Sequence, residues 1–373
     1  MIGDWDKQRF IELIEKLSKA KGPSLSEQPR RKILEDFFSA NGLKSLTDSA
    51  GNLLLHLGSG AWDKTVVFDA HMDVVQEGYT ETIIYENGIM KGLGVGDNLT
   101  AVSMLALLAV TLDKQINKTA LRPLVILFTV GEEGHGNLKG VKQFVNDHVA
   151  SPYLFLSFDL SFEEYSIRGL GSTRYKLEVS CSGGHSWEDY GIPSAIDEMM
   201  DFFSNLTMKF KTLSNNHPDM LSFNIGTMEG GEGINSIASS ATACFEFRSV
   251  LPELLEILNR DVTELCIRMN EREGVQLTCK TTGQRPAATP VKPERIEPLI
   301  VDILSGIEEK TRPVIRSTNI NATLDAGWPS LCMGLCRCGR FHTHDEYVVL
   351  DSLVKGWFVL STLVERFLCN QPT

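Results

Sequence analysis

Histidine and acidic residues recur in five short segments of this 373-residue chain, in spacings that suit metal binding. The segments contain His71 and Asp73, Asp97, Glu132 and Glu133, Asp159, and His342 with His344. Imidazole nitrogens and carboxylate oxygens are the donors that bind zinc and similar divalent ions in hydrolytic sites. One segment alone would carry little meaning, but the five together predict metal-assisted hydrolysis.

His71 and Asp73 stand two positions apart after an apolar run. In an extended strand such residues leave the same face, so Asp73 can orient a metal-ligating His71 through its second ring nitrogen. The alternative is a buried pair that serves packing alone. Asp97 also has two interpretations: it caps a helix, or its carboxylate bridges two ions about 3.5–4 Å apart.

The adjacent Glu132 and Glu133 repel each other if both are anions in one site. A metal resolves this conflict when one carboxylate ligates it and the other accepts a proton from bound water. The alternative is a solvated acidic turn. Asp159 ends a third apolar run, where a carboxylate is either exposed or liganded. Of His342 and His344, one is a candidate ligand and the other is expected to be solvated.

Three short apolar runs precede these acidic residues, at 65–70, 124–130 and 153–158. Such runs are typical of central strands that are covered on both faces. They alternate with helical patterns at 98–112, which we interpret as amphipathic, and at 138–148. This alternation predicts a doubly wound, mostly parallel α/β sheet, whose site lies beyond the carboxyl ends of the strands.

The pattern changes in residues 174–285, where half-exposed strands and two helices follow the order βαββαβ. This order predicts an inserted ferredoxin-like α+β domain, while residues 1–173 and 286–373 form the domain that carries the acidic segments. Before the first strand, Ser24 or Ser26 is predicted to cap a helix that begins near residue 29.

The composition limits the possible binding partners and the cellular compartment of the protein. A net charge of −12 argues against nucleic acid and against an anionic membrane, because both require a basic face. Eight cysteines without paired spacing indicate reduced thiols, and we interpret Cys332, Cys336 and Cys338 as packing residues. Since the N-terminus carries charge at once and no apolar signal segment, the sequence predicts a cytoplasmic protein.

Taken together, the segments resemble the co-catalytic zinc peptidase family that includes peptidase T, carboxypeptidase G, aminoacylase and succinyl-diaminopimelate desuccinylase. The similarity runs from about residue 50 to 355 and keeps the order of the motifs. The motifs are His71-Met-Asp73, Gly96-Asp97-Asn98, Gly131-Glu132-Glu133-Gly134, Asp159, Ser182-Gly-Gly-His185-Ser-Trp187, Glu229-Gly-Gly, Asn235-Ser-Ile, Phe247-Arg248-Ser and His342-Thr-x-Asp-Glu-Tyr347.

The resemblance implies two divalent metal ions per chain, zinc by preference, with manganese or cobalt as alternatives. The implied ligands of one ion are His71, Asp97 and Asp159, and those of the other are Asp97, Glu133 and His342. Asp97 then bridges the ions and Glu132 is the general base. Asp73 supports catalysis by orienting His71. A cis peptide bond between Asp97 and Asn98 is a further implied feature.

For the inserted domain the resemblance implies a lid and a dimerisation surface, so that a homodimer is expected. His185 is implied to stabilise the oxyanion, and in dimeric relatives it comes from the partner subunit. Asn235 and Arg248 are implied to hold the substrate's carboxylate or amide; the alternatives are a surface-loop histidine and an exposed arginine. Asn319 is assigned to a loop near the substrate, where many relatives carry Asp instead.

The predicted reaction is hydrolysis of an amide bond, in which Glu132 takes a proton from water bound by the metal pair and passes it to the leaving amine. A peptidase of small peptides is the favoured function, and an N-acyl-amino-acid deacylase is the alternative in the same class. A non-catalytic metal- or peptide-binding protein is the alternative outside it. A thiol hydrolase is remote, because no cysteine lies in a recognisable nucleophile turn.

Overall fold

The computed structural model describes residues 5–75, 82–115, 122–307 and 310–369. The strands are β1 (Leu46–Thr47), β2 (Leu53–Leu57), β3 (Val66–His71), β4 (Ile84–Glu86), β5 (Ile89–Lys91), β6 (Leu124–Thr129), β7 (Leu154–Phe158), β8 (Glu164–Ser166), β9 (Gly171–Ser180), β10 (Gly184–His185), β11 (Leu221–Gly230), β12 (Ser236–Ile237), β13 (Ser240–Ser249), β14 (Gln276–Arg285), β15 (Arg312–Pro313), β16 (Ser330–Met333), β17 (Cys338–Gly339) and β18 (Tyr347–Val349). The α-helices are α1 (Lys7–Lys19), α2 (Gln28–Ala40), α3 (Thr100–Gln115), α4 (Lys139–Asn146), α5 (Ala195–Asn216), α6 (Pro252–Asn270), α7 (Pro293–Ser305), α8 (Ile320–Asp325) and α9 (Ser352–Val364).

The chain divides into two compact units. Leu170–Ala288 forms the smaller unit, and the chain up to Gly169 together with the chain from Thr289 onward forms the larger one. These limits lie within four residues of the boundaries that the change of pattern predicts.

The larger unit is built on a mixed sheet with the strand order β1-β2-β6-β3-β7-β16-β8-β15. The centre of this sheet is parallel, because β3 pairs in parallel with β6 and β7, and β7 does so with β16. Every residue of β3, β6 and β7 is buried, as the continuous apolar runs require of strands covered on both faces. The predicted α/β class with a mostly parallel central sheet is therefore confirmed.

The prediction that the helix at 98–112 is amphipathic is wrong. The helix α3 begins at Thr100, and residues 100–110 are all buried, so its whole circumference contacts protein. By length and composition, Val95–Lys114 is apolar enough to cross a membrane, but 89% of its most apolar stretch is buried inside the protein. A helix that is apolar all round fits the middle of a large core.

The predicted cap of α2 is also wrong. Glu27 occupies the N-cap position and makes no capping hydrogen bond there, and Pro29 lies in the first turn. Ser26 is exposed, whereas the Ser24 hydroxyl turns to the ends of β3 and β6.

A second sheet of the larger unit has the order β17-β18-β5-β4 and was not predicted. In it, β18 pairs antiparallel with β5, and the backbone N–H of Gly92 donates to the carbonyl of Glu346 at 3.0 Å. This pairing fixes the chain after His342 beside the chain before Asp97.

The smaller unit is an antiparallel sheet with the order β11-β13-β9-β14, crossed by α5 and α6. Its long elements follow the chain in the predicted order βαββαβ, with the short β10 and β12 added. Alternate residues of β9 and β13 are buried, and their apolar faces form a core with both helices. Leu177, Phe245, Phe202 and Leu258 are among the members of this core.

Candidate metal centre

The ends of three neighbouring parallel strands bring most of the predicted ligands to one edge of the sheet. His71 is the last residue of β3, the central strand of the three. Glu132 and Glu133 follow β6 on one side of it, and Asp159 follows β7 on the other side. Since carboxyl ends of parallel strands meet at one edge, these side chains converge.

His71, Asp97 and Asp159 form the first cluster of possible ligands, with donor atoms within 4.8 Å of one another. The Nε2 atom of His71 lies 2.8 Å from Oδ1 of Asp97 and 4.0 Å from Oδ2 of Asp159. Its Nδ1 atom lies 3.0 Å from the backbone carbonyl oxygen of Asp73, which leaves Nε2 to face the cluster.

Asp97, Glu133 and His342 form a second cluster of the same kind. The Nε2 atom of His342 lies 2.8 Å from Oε1 of Glu133 and 3.3 Å from Oδ2 of Asp97. The two oxygens of Asp97 therefore face different histidines, and this carboxylate is common to both clusters. Asp97 does not cap α3, because it lies in the preceding turn Val95–Leu99 with non-helical backbone angles.

The structure also places Glu132 in a third possible group, with His71 and Glu133. Glu132 is 3% exposed. The turn that carries both glutamates begins at Gly131, whose φ of +61° is in the left-handed region that glycine adopts at little cost. The position of Glu132 therefore allows a ligand role as well as a proton-accepting role.

The Asp73 carboxylate does not bind mainly to the ring of His71, from which its Oδ1 atom is 3.5 Å away. Instead, Oδ1 accepts the backbone N–H of Glu132 at 3.0 Å, and Oδ2 accepts that of Glu133 at 2.8 Å. Asp73 thus orients His71 through its backbone and the two glutamates through its side chain.

Glu346, a motif residue for which the sequence predicts no separate role, holds the loop that carries Asp97. Its carboxylate is buried and accepts the backbone N–H groups of Gly94, Gly96 and Asp97 at 3.1, 2.7 and 2.8 Å. On the other side, Asn98 donates from Nδ2 to the carbonyl of Phe158 at 2.6 Å. A cis peptide bond joins Asp97 to Asn98.

The two clusters contain three carboxylates and two histidines, and the pKa values of several of these groups are strongly shifted. Burial raises the pKa of Asp159, and the nearby Asp97 carboxylate raises it further, well above its usual range. Burial lowers the pKa of His71, but the Asp73 and Asp97 carboxylates outweigh it, so the net shift is upward. Hydrogen bonds to Asp97 and Glu133 raise the pKa of His342 to about 10.

The raised pKa values indicate that positive charge is favoured where these nitrogen and oxygen donors converge. A divalent cation replaces protons there, because its ligands bind as neutral imidazole and as carboxylate. The donor set of two histidines and three carboxylates suits zinc, manganese or cobalt better than calcium or magnesium, which prefer oxygen alone. The residues therefore fit a divalent metal ion of this kind.

Other candidates from the sequence lie away from the clusters. His344 is exposed and joins neither of them. Cys332, Cys336 and Cys338 are buried, as packing residues are, and each of the three is a free cysteine.

Asn319 does not lie open to a substrate, in contrast to the predicted assignment. Its side chain is 1% exposed, and its Nδ2 donates to Oδ2 of Asp69 at 2.9 Å and to the hydroxyl of Thr129 at 2.8 Å. Burial raises the pKa of Asp69 to about 6, against the hydrogen bonds of Asn319, Ser157 and Thr129. An amide beside a buried carboxylate avoids the repulsion that a second carboxylate would cause there.

The smaller unit brings His185 and Asn235 together. His185 in β10 pairs with Ser236 in β12, and the Ser186 N–H donates to the carbonyl of Asn235 at 3.0 Å. The Nδ1 atom of His185 accepts the backbone N–H groups of Trp187 and Glu188, each at 3.3 Å. Because a nitrogen that accepts hydrogen bonds carries no proton, the proton of the neutral ring lies on Nε2.

Arg248 lies in β13 of the same unit and contacts Glu246. Its Nε donates to Oε1 at 2.7 Å and its Nη2 to Oε2 at 3.3 Å, while Arg174 also donates to Oε2 at 3.3 Å. Glu246 therefore binds two guanidinium groups, those of Arg174 and Arg248.

Known proteins share both the sequence pattern and the fold of this chain. A profile of peptidase family M20/M25/M40 matches residues 67–366. The uncharacterized protein YqjE of Bacillus subtilis is 25% identical over 380 residues, which cover 96% of this chain and 97% of that protein.

Two solved structures show the same fold. A tripeptidase from Staphylococcus aureus has a TM-score of 0.79 at 18% identity and covers 98% of this chain and 99% of its own. Aminopeptidase PepT from Bacillus cereus has a TM-score of 0.76 at 17% identity, with coverage of 98% and 100%. Because the family profile matches most of its length, this chain belongs to peptidase family M20/M25/M40.

Proposed function

We propose that this hydrolase of amide bonds is a peptidase that binds two divalent metal ions and cleaves small peptides. The observation that carries the proposal is the Asp97 carboxylate, whose two oxygens face the histidines of two separate ligand clusters. We assign His71, Asp97 and Asp159 to one ion, and Asp97, Glu133 and His342 to the other. Zinc is the proposed metal, and manganese or cobalt has the same donor preference.

When bound, the ions supply Lewis-acid activation of the attacking water and of the scissile carbonyl. The chain itself supplies the proton transfers. Glu132 accepts the proton of the attacking water, and the same carboxylic acid returns it to the amine that leaves. Asp73 holds the backbone of Glu132 in place for both steps. His185, whose ring proton lies on Nε2, is the proposed hydrogen-bond donor to the oxyanion.

Small peptides are the proposed substrates, and the cytoplasm is the proposed compartment. Similar structures bear the names tripeptidase and aminopeptidase PepT, and a dipeptidase from Saccharomyces cerevisiae also shares the fold. Asn235 and Arg248 are the proposed contacts for the peptide's amide and carboxylate. An arginine suits a carboxylate, because its planar guanidinium group can bind two oxygens.

A substrate panel with a parallel metal analysis tests this proposal. We expect the zinc-loaded protein to hydrolyse unblocked di- and tripeptides faster than N-acetyl and N-succinyl amino acids, with two ions per chain by mass spectrometry. Activity restricted to the acylated compounds would identify a deacylase instead. No turnover of either group, with at most one bound ion, would contradict the catalytic assignment.

We also propose that the protein is a homodimer through its smaller unit. Exposed apolar side chains concentrate on that unit: Met200 and Met208 of α5 are each 60% exposed, and Met228 of the edge strand β11 is 48% exposed. Surfaces of this kind are commonly covered by another protein chain.

Sedimentation velocity should give the mass of two chains, and Met228→Glu should shift the measured mass toward that of one chain. Val354→Glu, at an exposed site of α9, is the control, and a wild-type monomer at micromolar concentration would exclude the dimer.

A further inference from the structure

The segment between α1 and α2 lies against the ends of the strands that carry the metal ligands. Pro23 forms a parallel bridge with Val74, and the N–H of Val74 donates to the carbonyl of Gly22 at 3.1 Å. This segment precedes residues 67–366, the range that matches the family profile. Three side chains of this segment and of the first turn of α2 form hydrogen bonds with the ligand-bearing loops, those of Ser24, Glu27 and Arg30.

The first of these side chains, Ser24, binds the carboxylate that holds the two glutamates. Its hydroxyl donates to Oδ2 of Asp73 at 2.6 Å and lies 3.0 Å from the carbonyl oxygen of Glu133. Asp73 Oδ2 is also the acceptor for the N–H of Glu133. The Ser24 hydroxyl and the Glu133 N–H therefore share one acceptor, Oδ2 of Asp73, which fixes this carboxylate relative to the Glu133 backbone.

The second side chain, Glu27, fixes the start of the same turn. It is 4% exposed, and its Oε1 atom accepts the N–H groups of Leu25 and Gly131, each at 2.8 Å. Gly131 directly precedes Glu132, so Glu27 and Asp73 together bind three consecutive backbone N–H groups, those of residues 131–133. A turn that is held at three successive amides has little freedom to change the direction of its side chains.

The third side chain, Arg30, is fully buried and connects the segment to the end of β3. Its Nη1 donates to the carbonyl of Met72 at 2.7 Å. A Cβ atom on Gly22 would lie 2.4 Å from Cδ of Arg30, so only glycine allows this arginine to lie flat against the chain. Burial lowers the pKa of Arg30 to about 10, against the opposing influence of Asp73, Glu27 and Glu346, so the guanidinium stays charged at neutral pH.

We propose that Ser24, Glu27 and Arg30 are positioning residues for amide hydrolysis. They fix Asp73, the end of β3 and the turn at 131–133, and thereby set the directions of the Glu132 base and the Glu133 ligand. None of the three is a metal ligand or a proton carrier in the proposed reaction. The inference rests on the proposed function, which it extends to a part of the chain outside the matched range.

Ser24→Ala tests the first contact, and Ser26→Ala is its matched control. Ser26 is exposed, and its backbone N–H, which the substitution keeps, donates to the carbonyl of Pro23. We expect Ser24→Ala to lower kcat by about 10- to 100-fold, the usual cost of losing a group that supports a metal site. KM should change little, and zinc affinity by chelator competition should fall about tenfold. If both variants match the wild type in kcat and in zinc affinity, the proposal is wrong.

Glu27→Gln and Glu27→Ala test the second contact. Because both N–H groups bind the same oxygen of Glu27, a glutamine amide oxygen can take its place, whereas alanine removes the acceptor. Glu27→Gln should keep kcat within about threefold of the wild type, and Glu27→Ala should lose about 10-fold or more. Equal losses in the two variants would overturn the positioning role. If Glu27→Ala fails to fold by circular dichroism, the serine pair still decides the question.

Chelator competition separates this inference from the proposed function. If the wild-type protein hydrolyses none of the peptides or acyl compounds, the proposed function fails. The zinc affinity of Ser24→Ala relative to Ser26→Ala still tests the support of the Glu133 ligand. If instead the wild type is active and the two serine variants are identical in kcat and affinity, only the positioning role is refuted.

Discussion

Exchange of Glu132 for glutamine is expected to lower kcat by about 100- to 10,000-fold, the range that a positioned general base contributes. Glutamine has the shape of glutamate but cannot accept the proton of water. The backbone N–H of residue 132 still donates to Asp73 in the variant, so the turn keeps its place. KM should remain near the wild-type value, because the substitution removes a proton acceptor and no binding contact.

The metal content of Glu132→Gln separates the two roles that the geometry allows for this residue. If Glu132 is only a base, the variant keeps two ions per chain. If Glu132 is a ligand in the group with His71 and Glu133, the variant loses an ion. Steady-state kinetics and mass spectrometry of the same preparation give both answers. Glu12→Gln, at an exposed site of α1, is the control and should equal the wild type. A variant that keeps wild-type kcat would remove Glu132 from the mechanism.

The second large effect is expected for Asp97→Asn, which should abolish measurable turnover and release metal. Asp97 is common to both clusters, so a neutral amide there weakens both sites at once. The loss of affinity should exceed the roughly 10- to 100-fold cost of removing a group that only supports a ligand. The backbone N–H of residue 97 still binds Glu346, so the loop remains folded.

Zinc-dependent thermal unfolding measures the Asp97 effect apart from catalysis. A ligand that binds only the folded state raises the melting temperature, so excess zinc should stabilise the wild type and not Asp97→Asn. Asp345→Asn is the matched control, because Asp345 is exposed and joins none of the three possible ligand groups. Two retained ions per chain in Asp97→Asn would contradict the bridging role.

Much of the fold follows from local patterns in the sequence. The apolar runs before His71, Glu132 and Asp159 predict three buried strands, and the structure places them side by side at the centre of the sheet. A strand that is apolar on both faces must be covered on both faces, and such strands lie in the middle of a sheet. The burial of α3 on all sides did not follow, because periodicity alone does not show what packs against a helix.

The candidate ligands could also be predicted from the sequence, but the residues that hold those ligands in place could not. Ser24 lies 49 positions before Asp73 and 109 before Glu133, and nothing in the residues around it indicates either contact. The prediction of a helix cap used the local preference of serine, and a long-range hydrogen bond prevailed. Asn319 shows the same limit, since its partner Asp69 is 250 positions away and both are buried.

Four of the five proposed ligands precede the smaller unit in the chain, and the fifth, His342, follows it. The ligands His71, Asp97 and Asp159 are therefore made well before the ribosome reaches His342, which comes 183 positions after Asp159. At about 5–20 residues per second, this interval lasts on the order of 10–40 s, time in which the smaller unit is synthesised. The first cluster is complete in sequence while the second still lacks its histidine, but Glu346, which holds the loop of Asp97, is made only after His342. Both clusters therefore depend on the last part of the chain to be synthesised.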